Sequence, residues 1–214
     1  MKTFFITGTD TDVGKTFITR LLLAKVKQTG QTALAIKPIS AGSDDAVFLQ
    51  KESSLQLKDE IINPIYLQQP LSPHIAAKLE HKHLQAEDIY QACKSALQNP
   101  VDYLFVEGAG GWLVPINDKE TMADLAVKLQ MPVIIVVAMR LGCLNHSLLT
   151  VDNILSRQLN IAGFIANQTQ ATPQTALNDN IATLQQRIPA PLLGVVPYSI
   201  NKEPASLIEH ITLP

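Results

Sequence analysis

The sequence predicts an α/β fold, a mostly parallel sheet with helices on both faces, and three observations predict it. Six short apolar segments, at 3–6, 33–36, 103–106, 133–138, 161–166 and 192–196, read as strands, most of them apolar on both sides. Helix-length stretches at 16–28, 85–98, 121–130, 145–158 and 174–187 alternate with them, the pattern of a parallel sheet covered on both faces. The third observation is a glycine loop, Gly8-Thr9-Asp10-Thr11-Asp12-Val13-Gly14-Lys15-Thr16, set between the first strand and the first helix.

That loop carries the most chemistry. Its glycines let backbone N–H groups converge on phosphate oxygens, the helix behind it presents a positive dipole end, Lys15 supplies charge and the Thr16 hydroxyl suits Mg²⁺. A bare turn would need neither the Lys-Thr pair nor four polar residues from Thr9 to Asp12, so the fold is P-loop NTPase-like. Five residues rather than the usual four separate Gly8 from Gly14.

In open sheets of this kind ligands collect at the carboxyl ends of the strands. Lys37 follows the second strand and precedes Pro38, which puts a second ammonium at that edge. Taken alone, a lysine there snorkels to solvent as readily as it catalyses, and the neighbouring phosphate loop favours catalysis. From Ala41 to Leu84 the pattern is irregular, interrupted by Pro64, Pro70 and Pro73, which reads as loops and short helices laid over the site. Asp44 and Asp45 there serve either as helix caps or, one of them, as a metal ligand.

The third strand ends in Glu107, where phosphate-loop enzymes place the carboxylate that holds Mg²⁺ opposite the loop hydroxyl. Gly108-Ala109-Gly110-Gly111 then lets the backbone approach a ligand. After the fourth strand, Arg140-Leu141-Gly142-Cys143-Leu144-Asn145 leads into a helix expected to start near Asn145. Free amides there would suit a carboxylate, and plain capping by Asn145 explains the residue equally well. Asn167 ends the fifth strand, where an amide can pair with a base; Pro197-Tyr198 after the sixth either flanks that base or makes a surface turn. His81 and His83, without nearby Cys, read as a solvated loop.

Bulk properties exclude several classes. At 214 residues one domain, 1–214, is the simplest organisation. With 46% hydrophobic and 17% charged residues and no apolar run long enough to span a bilayer, a soluble protein without membrane partner is expected. The amino terminus runs straight into the first strand, leaving no room for a cleavable signal, and Cys93 and Cys143 form neither a disulfide framework nor a metal spacing; a cytoplasmic location is expected. A net charge of −2 without a basic cluster speaks against nucleic acid.

Six separated motifs together resemble the dethiobiotin synthetase family from residue 1 to about 198: the long-spaced loop, Lys37-Pro38-Ile39, Ser72-Pro73-His74, Val106-Glu107-Gly108-Ala109-Gly110-Gly111, Leu141-Gly142-Cys143-Leu144-Asn145-His146 and Pro191-Leu192-Leu193-Gly194. The resemblance implies an ATP- and Mg²⁺-dependent ligase that converts 7,8-diaminononanoate and CO₂ (or bicarbonate) to dethiobiotin, working as a homodimer. It implies that Asp12, Val13, Gly14, Lys15, Thr16 and Phe17 cradle the phosphates. Lys15 and Lys37 are then electrostatic catalysts, and Thr11 contacts the reacting groups. Thr16, Asp45 and Glu107 become the Mg²⁺ ligands, with Gly108, Ala109 and Gly110 beside the nucleotide, and Asn167, Gln168, Pro197, Tyr198 and Ser199 around adenine. Substrate contacts fall to Thr11, Lys37, Ala41 and the loop Leu141, Gly142, Cys143 and Asn145, the last four reaching the neighbouring subunit's site. The family often has Ser where this chain has Ala41, and Ala where it has Ser40, so Ala41 can contact substrate only through its backbone.

Two other classes share the loop. A nucleotide-dependent switch usually carries an additional lysine early in the loop, where Thr9 and Asp10 stand, and often a membrane-binding tail. A small-molecule kinase or an amidating synthetase would need an arginine-bearing lid or a glutamine-hydrolysing partner domain.

Overall fold

A computed structural model describes residues 1–201 and 203–214. In chain order the elements are β1 (Lys2–Gly8), α1 (Lys15–Gln28), β2 (Ala33–Ile36), β3 (Ile39–Ala41), α2 (Asp45–Glu52), α3 (Asp59–Ile62), β4 (Ile65–Leu67), α4 (Pro73–Leu79), α5 (Ala86–Leu97), β5 (Tyr103–Glu107), α6 (Met122–Leu129), β6 (Val133–Ala138), α7 (Cys143–Ser156), β7 (Ile161–Asn167), α8 (Leu177–Arg187) and β8 (Leu192–Val196). Six strands form one sheet in the order β2-β5-β1-β6-β7-β8, and every pair in it is parallel. From β1 the chain runs outward to the β2 edge, and from β6 it runs toward the β8 edge. The crevice of the sheet therefore opens at the carboxyl ends of β1, β5 and β6.

Each face carries its own core. Phe4 and Ile6 of β1 pack with Ile18, Leu22 and Val26 of α1, whereas Phe5 points the other way toward a cluster containing Ile89 of α5, Leu125 of α6 and Ile154 of α7. Burial on both sides is why the strands read as continuous apolar runs. No helix among the described residues is long and apolar enough to cross a membrane.

All six expected strands and five expected helices are present, with shifted ends. The helix expected near Asn145 begins at Cys143, because Gly142 adopts φ 93° and turns the chain into it two residues early. The helix expected from residue 174 begins at Leu177, after Ala176 takes a left-handed φ of 57°. The irregular stretch conceals more order than its pattern predicts: α2, α3, α4 and a second parallel pair, β3 with β4. Three-residue strands beside Pro38 and Pro64 are too short to display a period of two.

Residues 203–214, unassigned from sequence, close over β8. Leu207 and Ile211 join the α1-side core, and Thr212 N donates to Leu193 O at 2.7 Å. Gly194 makes room for this tail, since a Cβ there would lie 2.2 Å from His210 O.

Candidate active site

β1 is buried through Gly8, and the loop after it stays attached to the sheet through Thr9 N, which donates to Val136 O of β6 at 3.1 Å. Asp12 adopts φ 57°, a conformation that short polar side chains tolerate best. Gly14 follows at φ 88°, where a Cβ would stand 2.3 Å from Asn167 Nδ2. Asn167 in turn donates from Nδ2 to Val13 O at 2.8 Å, so β7 braces the loop from behind. The first intrahelical bond of α1 runs from Ile18 N to Gly14 O at 3.0 Å; Lys15, Thr16 and Phe17 thus present first-turn amides without intrahelical acceptors. This is an anion cradle built from backbone.

Beside it three elements bring charge together. Glu107, fully buried at the end of β5, accepts hydrogen bonds at Oε1 from Thr16 Oγ1 and from Lys37 Nζ, both at 2.6 Å. Lys37 Nζ also lies 3.0 Å from Asp45 Oδ2 and donates to Gly108 O at 3.2 Å. Ser43 Oγ donates to the same Asp45 oxygen at 3.1 Å. Of the two adjacent acids it is Asp45 that meets Lys37, while Asp44 starts α2, its carbonyl accepting from Phe48 N. Burial opposes the charge on Lys37, yet Glu107 and Asp45 outweigh it and hold the ammonium above the usual lysine value. Burial also disfavours the charged form of Asp45, and Lys37 reverses that, keeping the carboxyl below its ordinary range. Lys15 fares differently. Burial, and then the like charge of Lys37, push it down to about 8.

Thr16, Asp45 and Glu107 thus offer a hydroxyl and two carboxylates at one point, and Glu107 Oε2 is buried without a hydrogen-bond partner among the described residues. Hard oxygen donors with a spare carboxylate oxygen fit Mg²⁺, which takes few protein ligands and keeps waters.

Two cavities flank this centre. A cavity of about 140 Å³ is lined by Asp12, Gly14, Phe17, Asn167, Gln168, Thr169 and the turn Pro197-Tyr198-Ser199. Every residue expected around adenine therefore lies on one wall or another of a single hollow beside the loop. The other cavity, about 390 Å³, lies beyond Thr9 and Asp10 and is walled by Trp112, Val114, His146 and Leu149 among others.

An AAA domain family matches residues 2–206. The ATP-dependent dethiobiotin synthetase BioD of Cellvibrio japonicus is 47% identical over 205 residues, covering 92% of this chain and 89% of that one. Its counterpart from Pseudomonas paraeruginosa is 40% identical over 100% of this chain and 97% of its own. The chain belongs to the dethiobiotin synthetase family. Solved structures share the fold at low identity: a plasmid partition protein of Borrelia burgdorferi bound to AMPPNP (TM-score 0.61, 14% identical, covering 98% of this chain and 94% of that one) and a cell division ATPase MinD of Pyrococcus furiosus (TM-score 0.57, 18% identical, 98% and 88%). They place this synthetase family member among P-loop proteins by architecture alone.

Against the family pattern the expected substrate residues divide. Lys37 lies in the charged centre, and Thr11 is exposed on the rim of the loop. Ala41 is half-buried at the end of β3, packed against the core. The loop Leu141, Gly142, Cys143 and Asn145 lines neither cavity of its own chain: Leu141 is 93% exposed and Cys143 is buried. Ser40, a residue before Ala41, is buried and donates to Asn63 Oδ1 at 2.6 Å, so its hydroxyl does not substitute for the one the family often carries next door.

Several residues escaped the reading of the sequence. Trp112 is 3% exposed, edge-on to Phe5, and its Nε1 donates to Asn153 Oδ1 at 2.8 Å, an oxygen shared with Arg157 Nε. The glycine run immediately before it was the available signal. Arg140 pairs with Asp10 of the phosphate loop across 130 positions, for which a sequence offers no signal.

Proposed function

We propose that this chain closes the cyclic urea of dethiobiotin from 7,8-diaminononanoate, CO₂ and ATP, with Lys37 and Lys15 as electrostatic catalysts. The observation that carries the reading is the convergence of the phosphate loop, Lys37, Asp45 and Glu107 at one point between two cavities of unequal size. The smaller suits a base, held between Phe17 and the 197–199 turn with Asn167 and Gln168 at its edge, and Gly108, Ala109 and Gly110 approach the polyphosphate. The larger, part apolar and part polar, suits a long carboxylate with two neighbouring amines.

The chemistry needs no side-chain nucleophile. One amine of the substrate adds to CO₂ and loses a proton, giving a carbamate. A carbamate oxygen attacks the γ-phosphorus, ADP leaves, and a carbamic-phosphoric anhydride remains. The second amine attacks the carbamoyl carbon, phosphate departs, a proton is lost, and the ring closes. Lys15 and the amides of residues 13–17 hold the phosphates in line, and Lys37 meets the charge that builds on the transferring oxygens. Thr11 hydrogen-bonds near the reacting amine, and the backbone of Ala41 borders it. Thr16, Asp45 and Glu107 would hold Mg²⁺, which when bound neutralises phosphate charge.

We further propose a homodimer. Leu149 and Leu113, 61% and 49% exposed, line the larger cavity, Leu141 is 93% exposed just before α7, and a second copy covering them would bring its 141–145 loop, with the α7 amides, to the far end of the substrate. Cytoplasmic residence accords with this metabolic role.

Purified protein incubated with 7,8-diaminononanoate, bicarbonate, Mg²⁺ and ATP, each omitted in turn, tests the reading by mass spectrometry. Dethiobiotin formed only in the complete mixture is the expected result. ATP bound without any cyclic urea formed would sink the substrate assignment while sparing the fold.

A further inference from the structure

We propose that Asn63 is a positioning residue for Lys37, clamping the backbone from which the catalytic ammonium extends. The inference rests on the reading of Lys37 as the electrostatic catalyst. β2 lies at the edge of the sheet, and at its end the chain must leave β5 and turn into β3. Lys37 is the pivot of that turn, and Pro38 behind it has no N–H to contribute.

Asn63, between α3 and β4, fastens the pivot with all of its amide. Its Nδ2 donates to Lys37 O at 2.6 Å and to Ile65 O at 3.2 Å, while its Oδ1 accepts from Ser40 Oγ at 2.6 Å. The residue before it completes the grip, since Lys37 N donates to Ile62 O at 2.8 Å. Both main-chain polar groups of Lys37 thus end on residues 62 and 63, and Pro38 O accepts from Ile65 N at 3.1 Å. Ser40 is buried, so its hydroxyl is committed to this clamp and turned away from solvent.

The consequence lies at the other end of the side chain. In the resting arrangement Lys37 Nζ is held by Glu107, Asp45 and Gly108 O, and in turnover the same ammonium must find phosphoryl oxygens that exist only briefly. A flexible four-carbon stem cannot hold such a position unless its root is fixed. Displacements of about 1 Å in a catalytic group cost as much as roughly 10²-fold in rate. Releasing Lys37 O should therefore slow the chemical step and spare nucleotide binding, because Asn63 donates no bond to the phosphate loop.

The experiment measures kcat and KM for ATP and diaminononanoate, ADP affinity and thermal melting in Asn63→Ala, Ser40→Ala, Lys37→Ala and the double variant Asn63→Ala with Lys37→Ala. The expected result is a kcat about 10-fold lower in Asn63→Ala, with ADP affinity within about twofold of the parent and a smaller loss in Ser40→Ala, which keeps the Nδ2 donor. In the Lys37→Ala background the same change should cost little more, since a residue acting through the ammonium has nothing left to position. If the two losses multiply, or if Asn63→Ala turns over at the parental rate, the proposal is overturned. Should Asn63→Ala fail to fold, Asn63→Asp keeps the size and the acceptor for Ser40 but loses the donor, and it enters the same cycle. Lys37→Ala turning over normally would instead overturn the catalytic reading of Lys37 itself.

Discussion

Two buried lysines meet at the centre of this molecule, and their surroundings are opposite. Lys15, on the phosphate loop, is 7% exposed and has no ion-pair partner among the described residues; Lys37, at the end of β2, is 3% exposed and is paired with both Glu107 and Asp45. On the loop side one ammonium is pushed down to about 8 beside a turn of open amides, whereas on the β2 side the single charge of Lys37 is outnumbered by two carboxylates. Lys15 lacks an ion-pair partner among the described residues, whereas Lys37 has two and Glu107 keeps Oε2 open beside it. Under the proposed function both lysines stabilise charge in turnover, and the difference in their surroundings makes Lys15 the one on which ATP affinity should depend more.

The sharpest break of this comparison is to remove each lysine in turn. Lys37→Ala should leave ATP affinity close to the parent and lower kcat on the order of 10²- to 10³-fold, the range for a lost preorganised electrostatic group. Lys15→Ala should weaken ATP binding first. Equilibrium binding and steady-state turnover on both variants decide the matter, and loss of nucleotide affinity without loss of kcat in Lys37→Ala would make Lys37 a binding residue only. Next in size is Glu107→Gln. Taking the charge from a fully buried carboxylate leaves Lys37 with Asp45 alone, and the loss should approach about 3 kcal/mol of stability by denaturant unfolding. The same variant should lose any thermal stabilisation that Mg²⁺ gives the parent. An unchanged melting curve with an intact Mg²⁺ response would show that Glu107 is not the keystone of the pair.

These two regions were also unequally legible in the sequence. The loop, Lys37 and Glu107 announce themselves because each is a polar residue directly after an apolar strand, and strand ends are where a parallel sheet gathers its ligands. The smaller cavity assembled from Asp12, Gly14, Phe17, Asn167, Gln168 and the 197–199 turn for the same reason. Asp45 could not be told from Asp44, since adjacent residues at a helix start have the same local pattern and only the distance to Lys37 separates them. The clamp of Ser40 and Asn63 was invisible because β3 and β4 are three residues each and pair across 26 positions. Arg140 with Asp10, and the tail pairing of Ile211 with Gly194, are contacts between distant segments with no periodic trace.

Removing the charge of Lys15 altogether should produce a smaller effect of opposite sign. Its folded-state value of about 8 lies below the 10.5 of an ordinary lysine, so between those values the unfolded chain binds more protons at this position than the folded one. Stability of the ligand-free protein should accordingly rise with pH from about 8 to 10.5, and below that window the buried charge is a standing cost. Lys15→Met should stabilise the ligand-free protein by about 2 kcal/mol at pH 7 and flatten that rise, while abolishing tight ATP binding. Urea unfolding of both proteins at pH 7 and pH 10 reads the difference. A destabilised Lys15→Met would mean that Glu107, Asp45 and Asp12 already compensate this lysine from a distance, and the contrast with Lys37 would collapse.

The smallest effect is expected at the rim. Arg140 pairs with Asp10 of the loop, but the two side chains are 40% and 44% exposed, so water and salt screen them as they cannot screen Lys37. Arg140→Ala should cost less than about 1 kcal/mol of stability, and that little should fade between about 0.05 and 0.5 M salt, whereas the loss in Glu107→Gln should persist. Its effect on ATP affinity should stay within about threefold, because Asp10 already hydrogen-bonds its own loop at Thr11 N, 2.8 Å away. Unfolding and nucleotide titrations at the two salt concentrations make the comparison. A salt-insensitive loss at Arg140 as large as that at Glu107 would mean that loop geometry depends on its contact with the turn after β6 more than on anything buried beneath it.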